Sequence, residues 1–152
     1  MKTIAVGATA PDFSLPDQRG RVHRLSTLLS VGPVVLFFYP VAGSTGCVEE
    51  VRHFRDLGRQ FAAARAQRVG VSPDDLLTQE LFSAQERLDF PLLSDAHGVV
   101  ATAYGVRRRF LTPVKRTTFV IDRGGRIAEV ITSELNMTVH ADRALVALAS
   151  IG

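Results

Sequence analysis

The chain has 152 residues, 46% of them hydrophobic and 22% charged, with a formal net charge of +3 at pH 7. That balance fits one globular domain over 1–152 and excludes disorder, a collagen-like repeat and a disulfide-stapled mini-scaffold. The single cysteine, Cys47, rules out an internal disulfide, a Cys-x-x-Cys redox pair and a multi-cysteine zinc site.

His23, His53, His97 and His140 are scattered without ligand-like spacing, so neither a metal nor another cofactor is expected. The isoelectric point of 9.6 reflects sixteen arginines against two lysines. Apart from Arg107-Arg108-Arg109 the basic residues are dispersed and not interleaved with aromatics, which argues against a nucleic-acid partner. The longest apolar stretch, Pro33 to Gly43, is about half of the ~20 residues a membrane span needs. With no apolar signal core near the start and a lone thiol, the expected location is the reducing cytoplasm.

In chain order, Phe13-Ser14-Leu15 and Arg21 to Leu25 alternate about a Pro16-Asp17-Gln18-Arg19-Gly20 turn, which predicts an N-terminal β-hairpin. Val34 to Tyr39 is a continuous β-prone run, the mark of a strand buried on both faces, and it stops at Pro40. A loop of small residues, Val41 to Gly46, leads into a helix predicted from about Cys47 to Ala66, with Val51, Phe54, Leu57 and Phe61 inward. Ser44 or Thr45 can cap it by accepting from a free amide. A strand is predicted at Arg68 to Ser72. The next helix opens at Pro73-Asp74-Asp75 and runs to about Leu88, with Leu76, Leu77, Leu81 and Phe82 inward. Then follow a short strand at Pro91 to Ser94, a short helix from Val99 to Tyr104 and a hairpin of Thr117 to Ile121 with Arg126 to Ile131. A last helix covers His140 to Ala149. The alternation implies an α/β sandwich with a central, mainly parallel sheet covered on both faces, and such sheets bind ligands where strands end and helices begin. The Pro40 to Cys47 loop lies at that edge.

Cys47 falls in the first turn of its helix, where peptide dipoles place about half a positive charge. A free thiol has a pKa of about 8.5, and a helix N-terminus together with a nearby cation can lower it by one to several units. Taken alone, Cys47 fits a buried structural thiol, Pro40 a strand terminator, Ser44 a cap, Glu50 a solvated helix residue and Arg116 a surface cation.

Together they form a pattern. Pro40, Ser44 and Cys47 make Pro-x-x-x-Ser-x-x-Cys, preceded by Phe37-Phe38-Tyr39 and followed by Glu50 and Phe54-Arg55-Asp56. This stretch resembles the active-site segment of peroxiredoxins, and most closely that of the bacterioferritin-comigratory or peroxiredoxin Q subfamily. The resemblance extends over nearly the whole chain, through Gly7 to Phe13, Pro91 to Asp95 and Arg116 to Asp122. It implies a thioredoxin-like three-layer sandwich with a central mixed sheet flanked by helices. It also implies a thiol-dependent peroxidase acting on hydrogen peroxide and organic hydroperoxides. In that resemblance Cys47 is the peroxidatic nucleophile, Ser44 and Arg116 supply donors, Pro40 shields the site, and Glu50 supports the arginine.

Two departures from the family pattern matter. Many members of the subfamily carry a resolving cysteine five residues after the first, and here that position is Arg52. The resemblance then implies a one-cysteine cycle closed by an external thiol (thioredoxin, glutaredoxin or a small thiol), in a monomer or weak homodimer. Ser44 stands for the commoner threonine and Thr45 for a frequent proline, which predicts a less rigid loop. Arg107 to Arg109 reads as a solvated run or as a docking point for an acidic reductant. The competing readings are a thioredoxin-like binding or chaperone module with an inert cysteine, and a cysteine hydrolase. The hydrolase needs a histidine base, and His53 falls on a different side of the helix from Cys47.

Overall fold

The computed structural model describes residues 2–151. A two-stranded antiparallel hairpin, β1 (Ser14–Pro16) with β2 (Val22–Arg24), lies beside a five-stranded sheet. The sheet comprises β3 (Val34–Phe38), β4 (Gln67–Ser72), β5 (Leu92–Ser94), β6 (Thr117–Ile121) and β7 (Ile127–Thr132), in the order β5-β4-β3-β6-β7. β3 pairs in parallel with β4 and β4 with β5, whereas β6 is antiparallel to both β3 and β7. The sheet is therefore mixed rather than mainly parallel. The long excursion after β5 returns the chain so that β6 meets β3 head to tail.

The helices are α1 (Leu25–Leu29), α2 (Thr45–Asp56), α3 (Gly58–Ala63), α4 (Leu76–Glu86), α5 (Val99–Ala103) and α6 (Thr138–Ile151). The β3 run explains the layering. Its side chains alternate across the sheet. Val34, Leu36 and Phe38 pack on one face with Leu25 of α1 and Val100 and Ala101 of α5. Val35, Phe37 and Tyr39 pack on the other with Val51 and Phe54 of α2, Phe61, Phe82, and Ala141, Ala144 and Leu148 of α6. Phe37 stacks on Phe54 with ring centroids 4.2 Å apart, which fixes α2 directly over the centre of the sheet.

Three elements differ from the sequence expectation. The helix predicted over 47–66 is two helices, broken at Leu57. There the Arg68 guanidinium donates to the Phe54 carbonyl at 2.9 Å, the acceptor that a continuing helix would offer to Gly58. In α4 the leucines face out: Leu77 is 64% and Leu81 60% exposed, and Leu76 is also exposed. The buried face is Gln79, Phe82, Ser83 and Glu86. Gln79 takes the inner position because its amide is satisfied there by Tyr39, Ser72 and the Leu93 carbonyl. The short α1 has no counterpart in the sequence reading. The Asp75 carboxylate caps α4 by accepting from Thr78 N–H at 2.8 Å, as the Asp-rich opening suggested.

Candidate active site

β3 delivers Tyr39 and Pro40, both buried, to the C-terminal edge of the sheet, where the chain turns into α2. Cys47 is the third residue of that helix and has no exposed surface. The first helical bond in the turn runs from Val48 N–H to the Ser44 carbonyl at 2.9 Å, so the amides of Thr45, Gly46 and Cys47 precede the intrahelical ladder. Their positive ends lie in the first turn, which carries Cys47.

Arg116 precedes β6 and is 6% exposed. Its Nη1 donates to Glu50 Oε1 at 2.8 Å and lies 3.4 Å from Cys47 Sγ. The cation that the sulfur needs thus comes from the strand beside β3. Gly46 makes room for it, since a Cβ there would stand 3.2 Å from Arg116 Nη2 and 3.4 Å from Met137 Sδ. Glu50, one turn after Cys47, is fully buried. Burial raises its pKa from 4.5 to about 7, with the Arg116 charge pulling the other way. Burial pulls Arg116 down, but Glu50 and then Cys47 outweigh it and hold the guanidinium above its ordinary value. Arg116 is therefore a permanent cation here, while Glu50 changes charge near neutrality.

Three of the five sequence-predicted residues, Cys47, Glu50 and Arg116, are brought together, while Pro40 lies buried just past the end of β3. Ser44 sits at the N-cap of α2, but its hydroxyl makes no capping bond. Its Oγ instead donates to the Val41 carbonyl at 2.8 Å, tightening the loop. Thr45 is the first helical residue and does not cap. The loop is also held from outside, because Ala42 N–H donates to Asp74 Oδ2 at 2.8 Å. Arg52 is turned from the sulfur and bonds Glu86 Oε1 at 2.6 Å. His53 bonds Asp142 at 2.7 Å, so it is no base for Cys47. Of the arginine run, Arg108 pairs with Glu134 at 3.0 Å, and Glu134 in turn accepts the Arg116 backbone N–H at 3.1 Å.

The structure adds residues that the sequence reading missed. His140 stands 3.7 Å from Glu50 and bonds Thr118, Glu134 accepts from the Arg116 backbone, and Met137 lies beside Gly46. Thr118 was accessible in principle, since it shares the parity of Arg116 along β6 and must point to the same face. His140 is the first of a buried 140, 144, 148 stripe on α6.

The chain is similar to known proteins over nearly its whole length. The crystal structure of peroxidoxin BcpB from Mycobacterium tuberculosis is 54% identical and superposes with a TM-score of 0.93, covering 97% of each chain. The chloroplastic peroxiredoxin Q of Sedum lineare is 35% identical over 149 residues, 97% of this chain and 80% of its own. Xylella fastidiosa PrxQ superposes with a TM-score of 0.90 at 26% identity, over 99% of this chain and 98% of that one. The AhpC/TSA family model matches residues 6–130, which take in the hairpin, the Pro40 to Cys47 loop, α2 and Arg116. The chain belongs to the AhpC/TSA family and is a homologue of the peroxiredoxin Q and BcpB proteins.

Proposed function

We propose that the chain is a thiol-dependent peroxidase in which Cys47 reduces hydrogen peroxide and organic hydroperoxides. The observation that carries this is the Arg116 guanidinium 3.4 Å from a buried sulfur at a helix N-terminus. A fixed cation stands beside the sulfur at a helix start, and the thiolate is the nucleophile in cysteine chemistry.

In this reading the Cys47 thiolate attacks the terminal oxygen of a hydroperoxide. An S–O bond forms as the O–O bond breaks, two electrons pass from sulfur to the peroxide, and the departing alkoxide or hydroxide takes up a proton. The products are a cysteine sulfenic acid and an alcohol or water. Negative charge moves from sulfur to the leaving oxygen, so donors fixed on both atoms stabilise the transition state beyond the ground state. Arg116 and the first-turn amides are those donors, with Ser44 Oγ joining them when it leaves the Val41 carbonyl. Pro40 keeps water from the sulfur. Glu50 holds the guanidinium in place. Because Cys47 has no exposed surface, the Val41 to Ser44 loop shifts before substrate reaches it.

With no second cysteine in the chain, an external thiol attacks the sulfenic acid, releasing water and leaving a mixed disulfide. A second thiol then frees Cys47. Thioredoxin, glutaredoxin or a small thiol fits that step, in a monomer or weak homodimer working in the reducing cytoplasm. A binding module with an inert cysteine gives no reason to bury a guanidinium against the sulfur.

The test is mass spectrometry after one equivalent of peroxide, with and without dimedone. A gain of about 16 Da, converted to a dimedone adduct and absent in Cys47→Ser, is expected. An unmodified Cys47 after full consumption time would overturn the assignment.

A further inference from the structure

Behind Glu50 lies a second buried polar group that the peroxidase chemistry does not use. His140 on α6 has no exposed surface. Its Nε2 is 2.9 Å from the Ser133 carbonyl, which can only accept, so Nε2 carries the hydrogen. Burial pushes the imidazole below its ordinary pKa, so the ring is neutral and Nδ1 is a bare lone pair. Thr118 Oγ1 donates to Nδ1 at 2.8 Å. The same Nδ1 stands 3.7 Å from Glu50 Oε2, and that oxygen has no hydrogen-bond partner among the described residues. Thr118 occupies that lone pair, so the ring offers Oε2 no hydrogen, and an ionised Glu50 would hold a buried negative charge on an oxygen without a donor. A protonated Glu50 would not.

We propose that His140 is a positioning residue that keeps Glu50 from ionising below neutral pH, so that the positive charge of Arg116 is there left to serve Cys47. Glu50 and the Cys47 thiolate compete for one guanidinium, through the same Nη1 atom. Each is stabilised as an anion by Arg116 and destabilised by the other. The groups facing Glu50 are Cys47 on its own helix, Arg116 and Thr118 from β6, His140 from α6, and Glu134 from the loop before α6. Those acting on His140 are Glu50, Thr118, Arg116, Glu134 and Arg143. Among the described residues Arg116 is the one cation against Glu50, and Glu134 adds a second negative charge that also disfavours Glu50 ionisation. A neutral histidine that offers Oε2 no hydrogen works in the same direction.

The inference rests on Cys47 being the peroxide-reactive sulfur, and the experiment separates the two. The rate of Cys47 oxidation by hydrogen peroxide is followed from pH 5 to 9 in the full chain. A wild-type chain that does not react fails the function above, whatever His140 does. His140→Gln keeps a donor for the Ser133 carbonyl and removes Nδ1. It should let Glu50 ionise at lower pH, shift the acid limb of the profile upward by about half to one pH unit, and lower the rate at pH 6 about three- to tenfold. In a Glu50→Gln background, where the competing charge is gone, the same substitution should change the rate by less than about twofold. If His140→Gln packs poorly, Thr118→Val supplies the second variant. It unloads Nδ1 and makes the ring more basic, so Glu50 and the ring hold their shared proton to higher pH and the acid limb should move downward, again only when Glu50 is present. An unshifted profile, or an equal shift in the Glu50→Gln background, overturns the proposal.

Discussion

Arg116 Nη1 reaches within 3.4 Å of Cys47 Sγ across 69 positions of sequence, and the same nitrogen bonds Glu50 at 2.8 Å. One cation therefore serves two acidic groups. Removing it leaves two buried acidic side chains without a partner. Arg116→Met is expected to slow peroxide reduction by about two to three orders of magnitude, the scale of a lost transition-state donor. Arg116→Lys should recover little, because a strongly hydrated ammonium on a flexible stem is not held against both partners as the guanidinium nitrogen is. Stopped-flow kinetics decide the matter, and a loss smaller than about threefold in Arg116→Met would contradict the role.

Ser44 offers a second check. Its hydroxyl now bonds the Val41 carbonyl and is free to exchange that acceptor for a peroxide oxygen. Ser44→Ala should lower the peroxide rate about tenfold or more, while Ser44→Thr keeps the rate and stiffens the loop by restricting χ1. Equal rates in Ser44→Ala and the parent would remove Ser44 from the chemistry. Unchanged loop mobility and rate in Ser44→Thr would remove the claim that serine loosens the loop.

Asp74 reaches into the active-site loop from the start of the α4 segment. It accepts from Ala42 N–H at 2.8 Å and from Ser72 Oγ at 2.7 Å. Asp74→Ala should cost about 1–3 kcal/mol in unfolding free energy, because it leaves those donors unmet. It should also slow the peroxide step by loosening the Pro40 to Ser44 segment. Urea denaturation and stopped-flow rates measured on one preparation separate the two effects. A stability loss with an unchanged rate would show that the loop needs no such tether.

The buried carboxyl of Glu50 makes a signed statement about pH. Its folded pKa, about 7, lies above its unfolded value of 4.5. The folded state thus binds the proton more tightly, and the associated stability is fully present below pH 4.5 and lost as pH rises through 7. His140 works oppositely: its folded pKa is lowered, so its contribution is present above its ordinary 6.5 and fades as pH falls. Glu50→Gln should remove the first dependence alone. The stability of the variant relative to the parent should rise by about 1–3 kcal/mol between pH 4.5 and 7.5. Parallel stability curves would show that Glu50 is ionised in both states.

Local pattern was enough for most elements, and it failed where a distant group supplied the deciding contact. The break at Leu57 follows from Arg68 occupying the Phe54 carbonyl. The outward leucines of α4 follow from Gln79 finding Tyr39, Ser72 and the Leu93 carbonyl inside. Neither partner is within helical reach in sequence. The antiparallel entry of β6 next to β3 was hidden for the same reason: strand runs show burial, and pairing partners are chosen in space.

Sequence by itself determined the single nucleophile, its place after a doubly buried strand and at the start of a helix, and the absence of a second thiol to resolve it. Those are properties of composition and of spacing along one stretch of chain. The family resemblance pointed to Arg116 and Glu50, but only the tertiary structure decided that one nitrogen of Arg116 meets both the sulfur and Glu50, and that His140 stands behind Glu50. The reason is physical: a thiolate is stabilised by charge within a few ångströms, and those ångströms are spanned by sheet pairing that brings residue 116 beside residue 47.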